Sequence, residues 1–231
     1  MKNKKSATLE DAVGRIQDGA TILVGGFGQP GVPEVLIDGV CDLGRRDLTI
    51  VTNNAGTGHS GIARLIEEGC VGKLICSFPW AKESFVFKEL YDAGKIDLEI
   101  VPQGTLSERI RAGGAGLGGF LTPTALGTDL AEGKPIIETD GREWVLEKAL
   151  RGDFALIKAY KTDPRGNLTY HLTARNFNPV MAMAADFTIA EVQEDVAIDE
   201  LDPEVIVTPG VFVDTYFVTG WYEIGKERKA S

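Results

Sequence analysis

The sequence predicts an α/β protein built on an open, mostly parallel, doubly wound sheet. Three observations carry this. Short, continuous apolar segments recur along the first hundred positions, as strands buried on both faces of a parallel sheet do. Each is followed by a stretch whose apolar residues repeat at helical spacing. Turn residues, glycine above all, mark the changes between them. Strand–helix units in series imply parallel strands joined by right-handed crossovers.

The elements follow in order. Thr8 is placed to cap a helix carrying Leu9, Ala12, Val13 and Ile16. Asp18-Gly19 is a turn, and Thr21-Ile-Leu-Val24 a short buried strand. A glycine loop runs from Gly25 to Gly31, and Pro33 opens a helix through Val35, Leu36 and Val40. Strands are expected at 48–52, 73–76 and 98–101, with helices at 62–68 and 84–93. Ligands of such sheets bind beyond the carboxyl ends of the strands, which directs attention to loops 25–33, 53–60, 77–83 and 102–107.

The second half is less regular. Residues 112–119 hold five glycines and read as a flexible or closely packed loop. Ile136 to Leu146, turning at Asp140-Gly141, reads as a small β-hairpin. Phe154 to Tyr160 and Phe187 to Val192 read as strands, with Asn178-Pro179 capping and opening a helix between them. Residues 1–218 are expected to form one domain, followed by a charged tail over 219–231.

Composition limits the function classes. Acidic residues outnumber basic ones, 34 to 24, for a net charge of -10. Such a chain is a poor partner for a phosphate backbone or an anionic membrane surface. No apolar run approaches the ~20 residues of a membrane span, and no signal core follows the basic start, so a cytoplasmic location is expected. The cysteines, Cys41, Cys70 and Cys76, have no paired spacing and suggest no disulfide framework. The two histidines, His59 and His171, lie far apart with no metal-ligand spacing, so no metal is expected. No serine lies in a G-x-S-x-G elbow. Met181 and Met183 read as core packing.

Gly26-Phe-Gly-Gln-Pro-Gly31 satisfies G-x-G-x-x-G between a strand and a helix, the setting of a dinucleotide fingerprint. That motif needs an acidic residue at the end of the second strand to hold the ribose. Here the strand ends Thr52-Asn53-Asn54, with no carboxylate. Pro30 also removes a backbone N–H from the loop. An NAD-binding Rossmann oxidoreductase remains the alternative of another class, and a phosphosugar sensor or isomerase on the same broad fold a third.

The longer string Asp18-Gly-Ala-Thr-Ile-Leu-Val-Gly-Gly-Phe-Gly-Gln-Pro-Gly-Val-Pro33 resembles the signature of the family I CoA-transferases at every fixed position. The resemblance continues through Asn53-Asn54, Val101-Pro-Gln-Gly-Thr-Leu106, the glycines after Arg109, Thr122-Pro-Thr124, Gly166-Asn-Leu-Thr-Tyr170, Ala174-Arg-Asn-Phe-Asn-Pro179 and Thr208-Pro-Gly210. It spans about Thr8 to Val218 and implies the CoA-transferase type of sheet. It also implies transfer of CoA from a thioester, itself a substrate and not a resident cofactor, to a carboxylic acid. In that family a glutamate attacks the acyl-CoA and carries the CoA as a glutamyl thioester, with ping-pong kinetics. The glutamate lies in a Ser-Glu-Asn-Gly motif on the second of two subunits. This chain has no such motif, and Glu68-Gly69 and Glu132-Gly133 lack its serine and asparagine. The resemblance therefore makes this chain the first, or A-type, polypeptide of the pair. It implies a B-type CoA-transferase partner that carries the glutamate, without which this chain is inactive.

By the same resemblance, Gly25, Gly26, Phe27 and Gly28, flanked by Val24, Gln29 and Pro30, shape the CoA-binding turn. Asn53 and Asn54 face the carboxylate or the CoA arm, although paired asparagines after a strand also serve as turn caps. Gln103, with Gly104 beside it, brings an amide N–H to the attacked carbonyl, where an oxyanion develops. Arg109 and Arg111 could neutralise CoA phosphates or simply solvate a helix. For the acid, residues 76–96 look most like the 3-oxoadipate branch with succinyl-CoA as donor, whereas residues 104–121 look more like the acetate or acetoacetate branch. The first branch usually carries arginine after S-F-P, able to pair with a far carboxylate. Here that position is Trp80, with Lys82 nearby as a substitute.

Overall fold

The computed structural model describes residues 3–220. Its first helix, α1 (Leu9–Val13), opens on a reciprocal cap. The Thr8 hydroxyl accepts from the Asp11 N–H at 3.0 Å, and the Asp11 carboxylate accepts from the Thr8 N–H at 3.0 Å. The helix is shorter than the apolar spacing implies; Ile16 lies beyond its end yet is fully buried.

Four strand–helix units follow, of which the sequence predicts the first three and the strand, but not the helix, of the fourth. They are β1 (Thr21–Val24) and α2 (Glu34–Asp42), β2 (Leu48–Val51) and α3 (Ile62–Glu67), β3 (Val71–Cys76) and α4 (Phe85–Asp92), and β4 (Asp97–Ile100) with α5 (Gln103–Gly114). Three strands, β5 (Gly119–Thr122), β6 (Ile136–Thr139) and β7 (Arg142–Lys148), form a small antiparallel sheet in the order β5-β7-β6. The chain returns through β8 (Gly152–Thr162), α6 (Asn178–Met183), β9 (Ala185–Asp195) and β10 (Thr215–Val218). Among the described residues the main sheet has seven strands in the order β10-β9-β8-β1-β2-β3-β4, every neighbouring pair parallel.

The order explains where a ligand can sit. From β1 the chain moves outward through β2, β3 and β4, and from β8 it moves the other way to β10. β1 and β8 are thus the switch point, where crossovers leave to opposite sides and a crevice opens at the carboxyl ends. The sheet is covered on both faces, as parallel sheets require. Ile22, Val24, Ile50 and Leu74 pack with Leu36, Leu65 and Phe87 on one side, whereas Leu23, Val51 and Ile75 pack with Leu106, Ile110 and Met181 on the other. Cys76 is fully buried, and burial pushes its thiol up to about 12.

Two expectations are corrected. Residues 103–114 form a twelve-residue helix, where the sequence suggests a turn at 102–107 and a glycine loop from 112. Gly113 and Gly114 lower helix propensity, but tertiary packing requires them. A Cβ on Gly113 would lie 2.2 Å from the Leu150 carbonyl oxygen, and one on Gly114 2.8 Å from Met183 Cβ. Asn178 is the first residue of α6 and not its cap; its side chain is engaged elsewhere, as described below. The expected hairpin is present, with Asp140 (φ 54°) and Gly141 (φ 69°) both left-handed, as a tight two-residue turn demands. Among the described residues no helix is long and apolar enough to cross a membrane. Of the expected charged tail, residues 221–231 lie outside the described residues.

Candidate functional site

The glycine loop leaves β1 at the switch point. The Gly25 N–H donates to Leu156 O at 2.9 Å, continuing the β1–β8 ladder by one residue. The loop then doubles back, the Phe27 N–H donating to Pro30 O at 3.1 Å. Gly26 (φ 124°) and Gly28 (φ 63°) adopt conformations that favour glycine. Among the described residues the N–H groups of Gly26, Gly28 and Gln29 meet no acceptor. Of these, Gly28 and Gln29 are consecutive, and successive unpaired N–H groups in such a loop form an anion-binding concavity.

The glycines are required for a reason other than ligand approach. A Cβ on Gly25 would lie 1.9 Å from Asn178 Oδ1, one on Gly26 2.5 Å from Val32 Cγ2, and one on Gly31 2.6 Å from Ala174 O. These positions are closed by the chain itself. Gly28 is open, with Pro30 Cδ its nearest neighbour at 3.9 Å. Phe27, Gln29 and Pro30 are exposed, while Val24 is fully buried in β1 and shapes the turn from beneath.

On the β2–β3 side of this loop the structure brings Asn53 and Gln103 together. Gln103 Nε2 donates to Asn53 Oδ1 at 2.6 Å, and Ser77 Oγ donates to the same oxygen at 3.1 Å. Asn53 is nearly buried, and its backbone carbonyl accepts from the N–H groups of Ser77 and Phe78 at 3.2 and 3.1 Å. Asn54 does not join this group. Its Oδ1 accepts from the Gly56 N–H at 2.8 Å, an Asx turn. The asparagine pair thus divides into one residue facing Gln103 and one capping its own turn. Gln103 and Gly104 begin α5, whose first-turn N–H groups have no intrahelical acceptor.

On the β8–β9 side a cleft of about 450 Å³ opens, lined by Gln29, Gly31, Lys158, Tyr160, Tyr170 and His171 among others. Its size is that of a small-molecule site. Lys158 Nζ pairs with Glu191 Oε1 at 2.9 Å, and Glu191 is 1% exposed. The other Glu191 oxygen accepts from the N–H groups of Val35 and Leu36, at 2.8 and 3.3 Å, in the first turn of α2. The carboxylate therefore has a cation on one oxygen and a helix N-terminus on the other, two favourable partners for a buried charge. Burial raises the Tyr170 phenol, whose oxygen shares a hydrogen bond with Thr208 Oγ1 at 2.7 Å.

Sequence reasoning missed Ser77, Lys158, Asn178 and Glu191. The available signal was a lone carboxylate inside the apolar run Ile189-Ala-Glu-Val192, which must find a partner if the strand is buried. Other candidates resolve into structural roles. Arg109 donates to Glu99 at 2.8 Å and to Lys148 O at 3.0 Å, and Arg111 pairs with Glu108 at 2.9 Å. His59 lies 3.0 Å from Glu67, while His171 stands beside the Tyr160 ring on the cleft wall. Trp80 packs against Phe87 and Tyr91 of α4, with centroids 5.2 and 5.4 Å apart, and Lys82 is exposed.

With a glycine loop at the switch point of a doubly wound sheet and an amide pair beside it, the chain has the frame of an α/β transferase site. The model of the coenzyme A transferase family matches residues 6–217, and the chain belongs to that family. Within it the chain is of the A type. It is 61% identical over 213 residues to the A-type chain of the 3-oxoadipate CoA-transferase of Acinetobacter baylyi, covering 92% of this chain and 93% of that one. It is 48% identical over 215 residues to the alpha chain of the acetate CoA-transferase of Escherichia coli, covering 93% of this chain and 97% of that one. Among solved structures, an acyl-CoA transferase apoenzyme from Escherichia coli O157:H7 superposes with a TM-score of 0.81 at 25% identity, over 94% of this chain. The match takes up 47% of that longer polypeptide, so this chain spans about half its length. The family match decides between the readings of Gly26–Gly31 in favour of the transferase.

Proposed function

We propose that this chain is the A-type half of a hetero-oligomeric CoA-transferase that moves CoA from succinyl-CoA to 3-oxoadipate, with the nucleophilic glutamate on its B-type partner. The observation that carries the reading is the Asn53–Gln103 pair beside the unpaired N–H groups of the glycine loop. Its members are hydrogen-bond donors, and the sequence holds no Ser-Glu-Asn-Gly motif to supply the nucleophile. Glu191, the buried carboxylate nearby, is held by Lys158 and α2. The A. baylyi relative supports the choice of acid.

In the proposed reaction the partner's glutamate oxygen attacks the thioester carbon and expels CoA thiolate, leaving a mixed anhydride. The thiolate attacks the glutamyl carbonyl, releases succinate and leaves a glutamyl thioester. The second acid takes the CoA by the same steps in reverse. Each attack builds negative charge on a carbonyl oxygen. The loop N–H groups, with Gln103 and Gly104 at the start of α5, supply donors to it, and such donors are worth about 10²–10³ in rate each. Asn53 Nδ2 holds the carboxylate or the CoA arm without adding charge. Residues 1–218 act as one domain in the cytoplasm, and no metal or permanently bound cofactor takes part.

The E. coli relative supports a second reading, transfer to acetate or acetoacetate. The test is CoA transfer from succinyl-CoA to 3-oxoadipate, acetoacetate and acetate, by the chain alone and with a co-expressed partner carrying Ser-Glu-Asn-Gly. Transfer to 3-oxoadipate by the pair alone is the expected result. Preference for acetate or acetoacetate would replace the acid, and activity of the lone chain would overturn the assignment of the nucleophile.

A further inference from the structure

We infer that Asn178 is a positioning residue for the reaction: its buried amide clamps the glycine loop so that the unpaired N–H groups of the loop meet the developing oxyanion. The inference rests on the proposed transferase reading of that loop. Asn178 is completely buried. Its Oδ1 accepts from the backbone N–H of Lys158 at 2.9 Å, in the strand beside β1. Its Nδ2 donates to Gly31 O at 3.1 Å, at the far end of the loop, and to Ala174 O at 2.8 Å. One amide thus ties the loop, the switch-point strand β8 and the turn before α6, across 147 residues of sequence between Asn178 and Gly31.

The clamp is reinforced and matched in shape. Asn176 Nδ2 donates to Pro30 O at 2.9 Å, and Asn176 Oδ1 lies 3.3 Å from Asn178 Nδ2. Pro30 O also receives the Phe27 N–H, the bond that closes the loop. Gly25 has no room for a Cβ because Asn178 Oδ1 occupies that place, 1.9 Å away. Gly31 is likewise closed by Asn178 Nδ2, 2.8 Å from a built Cβ. Gly25 is thus matched to this asparagine alone, and Gly31 to it together with the Ala174 carbonyl and Asn176 Nδ2. Buried amides satisfied on both ends fix their surroundings in one arrangement, and donors displaced by about 1 Å lose much of their value to a transition state.

The test uses the two-chain complex and the variants Asn178→Ala and Asn178→Asp. The second keeps the acceptor for Lys158 but replaces the donor to Gly31. Both are expected to lower kcat at least about 30-fold with KM for the acid changed less than about threefold, the pattern of a group acting in the transition state. Backbone hydrogen exchange at Phe27 and Val32 should accelerate in Asn178→Ala. The double variant Gly25→Ala/Asn178→Ala refills the vacated space, so it should regain thermal stability lost in Gly25→Ala while kcat stays low. Recovery of kcat in the double variant, kcat of Asn178→Ala near that of the unsubstituted complex, or unchanged exchange at Phe27 and Val32 would each overturn the inference. If the unsubstituted complex transfers no CoA, the proposed function fails, and the exchange rates still decide whether Asn178 holds the loop.

Discussion

Gln103 Nε2 donates to Asn53 Oδ1 at 2.6 Å, joining the start of α5 to the end of β2 across 50 residues. With Ser77 Oγ on the same oxygen, Asn53 can present only Nδ2 to a ligand. Gln103→Ala removes one donor from the site and half the support of the Asn53 amide. Since Gln103 is exposed, Tm should change little, while kcat in the two-chain complex falls by about 10²-fold. Ser77→Ala keeps the Gln103 contact and should lose less. Steady-state kinetics with both substrates varied decides it; equal losses in the two variants would mean that the Asn53 orientation dominates and Gln103 itself contributes nothing.

Gly26 and Gly28 should respond differently to alanine although both have positive φ. Alanine at 28 meets open space and carries only the left-handed backbone strain, about 1–2 kcal/mol. Alanine at 26 carries strain at φ 124° and also drives a methyl to 2.5 Å from Val32 Cγ2, a further ~1–3 kcal/mol of overpacking. Urea unfolding of the two variants should separate them by at least about 1 kcal/mol. Equal stabilities would show that the loop relaxes freely and is not held by its own chain.

The parts of the molecule legible in the sequence are those set by near neighbours along the chain. The units from β1 to α4 alternate apolar strand and amphipathic helix, and each period is visible within about a dozen residues. β5 and β10, four residues each, owe their existence to partners distant in sequence, Val145–Lys148 and Ile189–Val192. α5 was hidden by its own glycines, whose packing against Leu150 and Met183 no local pattern reveals. In the site, the glycine loop, Asn53 and Gln103 were recognisable from the motifs they stand in. That Asn53 and not Asn54 meets Gln103 follows from the Asx turn at Gly56, a backbone detail. Lys158, Glu191 and Asn178 act through contacts more than a hundred residues away or across strands, and only the sheet order brings them to the loop.

Glu99 lies between Lys73 Nζ at 2.9 Å and Arg109 Nη1 at 2.8 Å. Burial pushes its carboxyl up, but the hydrogen bonds and charges of the two cations outweigh this and hold it below the ordinary range. A carboxyl with a depressed folded-state pKa contributes stability above its unfolded value, ~4.3, and loses it as pH falls through the folded value. Glu99→Gln should therefore be less stable than the parent at about pH 6, with the gap closing below about pH 4. Urea midpoints across falling pH give the answer; a gap that does not narrow as pH falls below about 4 would mean the variant acts through packing and not through charge.

Glu191 should be the most costly single carboxylate to remove. It is 1% exposed, and three donors converge on it: Lys158 Nζ at 2.9 Å and the N–H groups of Val35 and Leu36. Glu191→Ala strands a largely buried ammonium and two helix N–H groups together, for which about 3–5 kcal/mol is the expected loss. Glu191→Gln keeps an acceptor for the helix but not the charge, and should fall between. Because much of the penalty is the orphaned Lys158, the pair Lys158→Met/Glu191→Leu should recover more than half of it, as well-packed apolar replacements of buried ion pairs do. Unfolding free energies of the parent, Lys158→Met alone, Glu191→Leu alone and the paired variant form a double-mutant cycle. A coupling energy near zero would mean that Lys158 is already turned to solvent and the 2.9 Å contact holds nothing. A large coupling would fix Lys158 on the cleft wall, leaving its remaining N–H groups to whatever enters there.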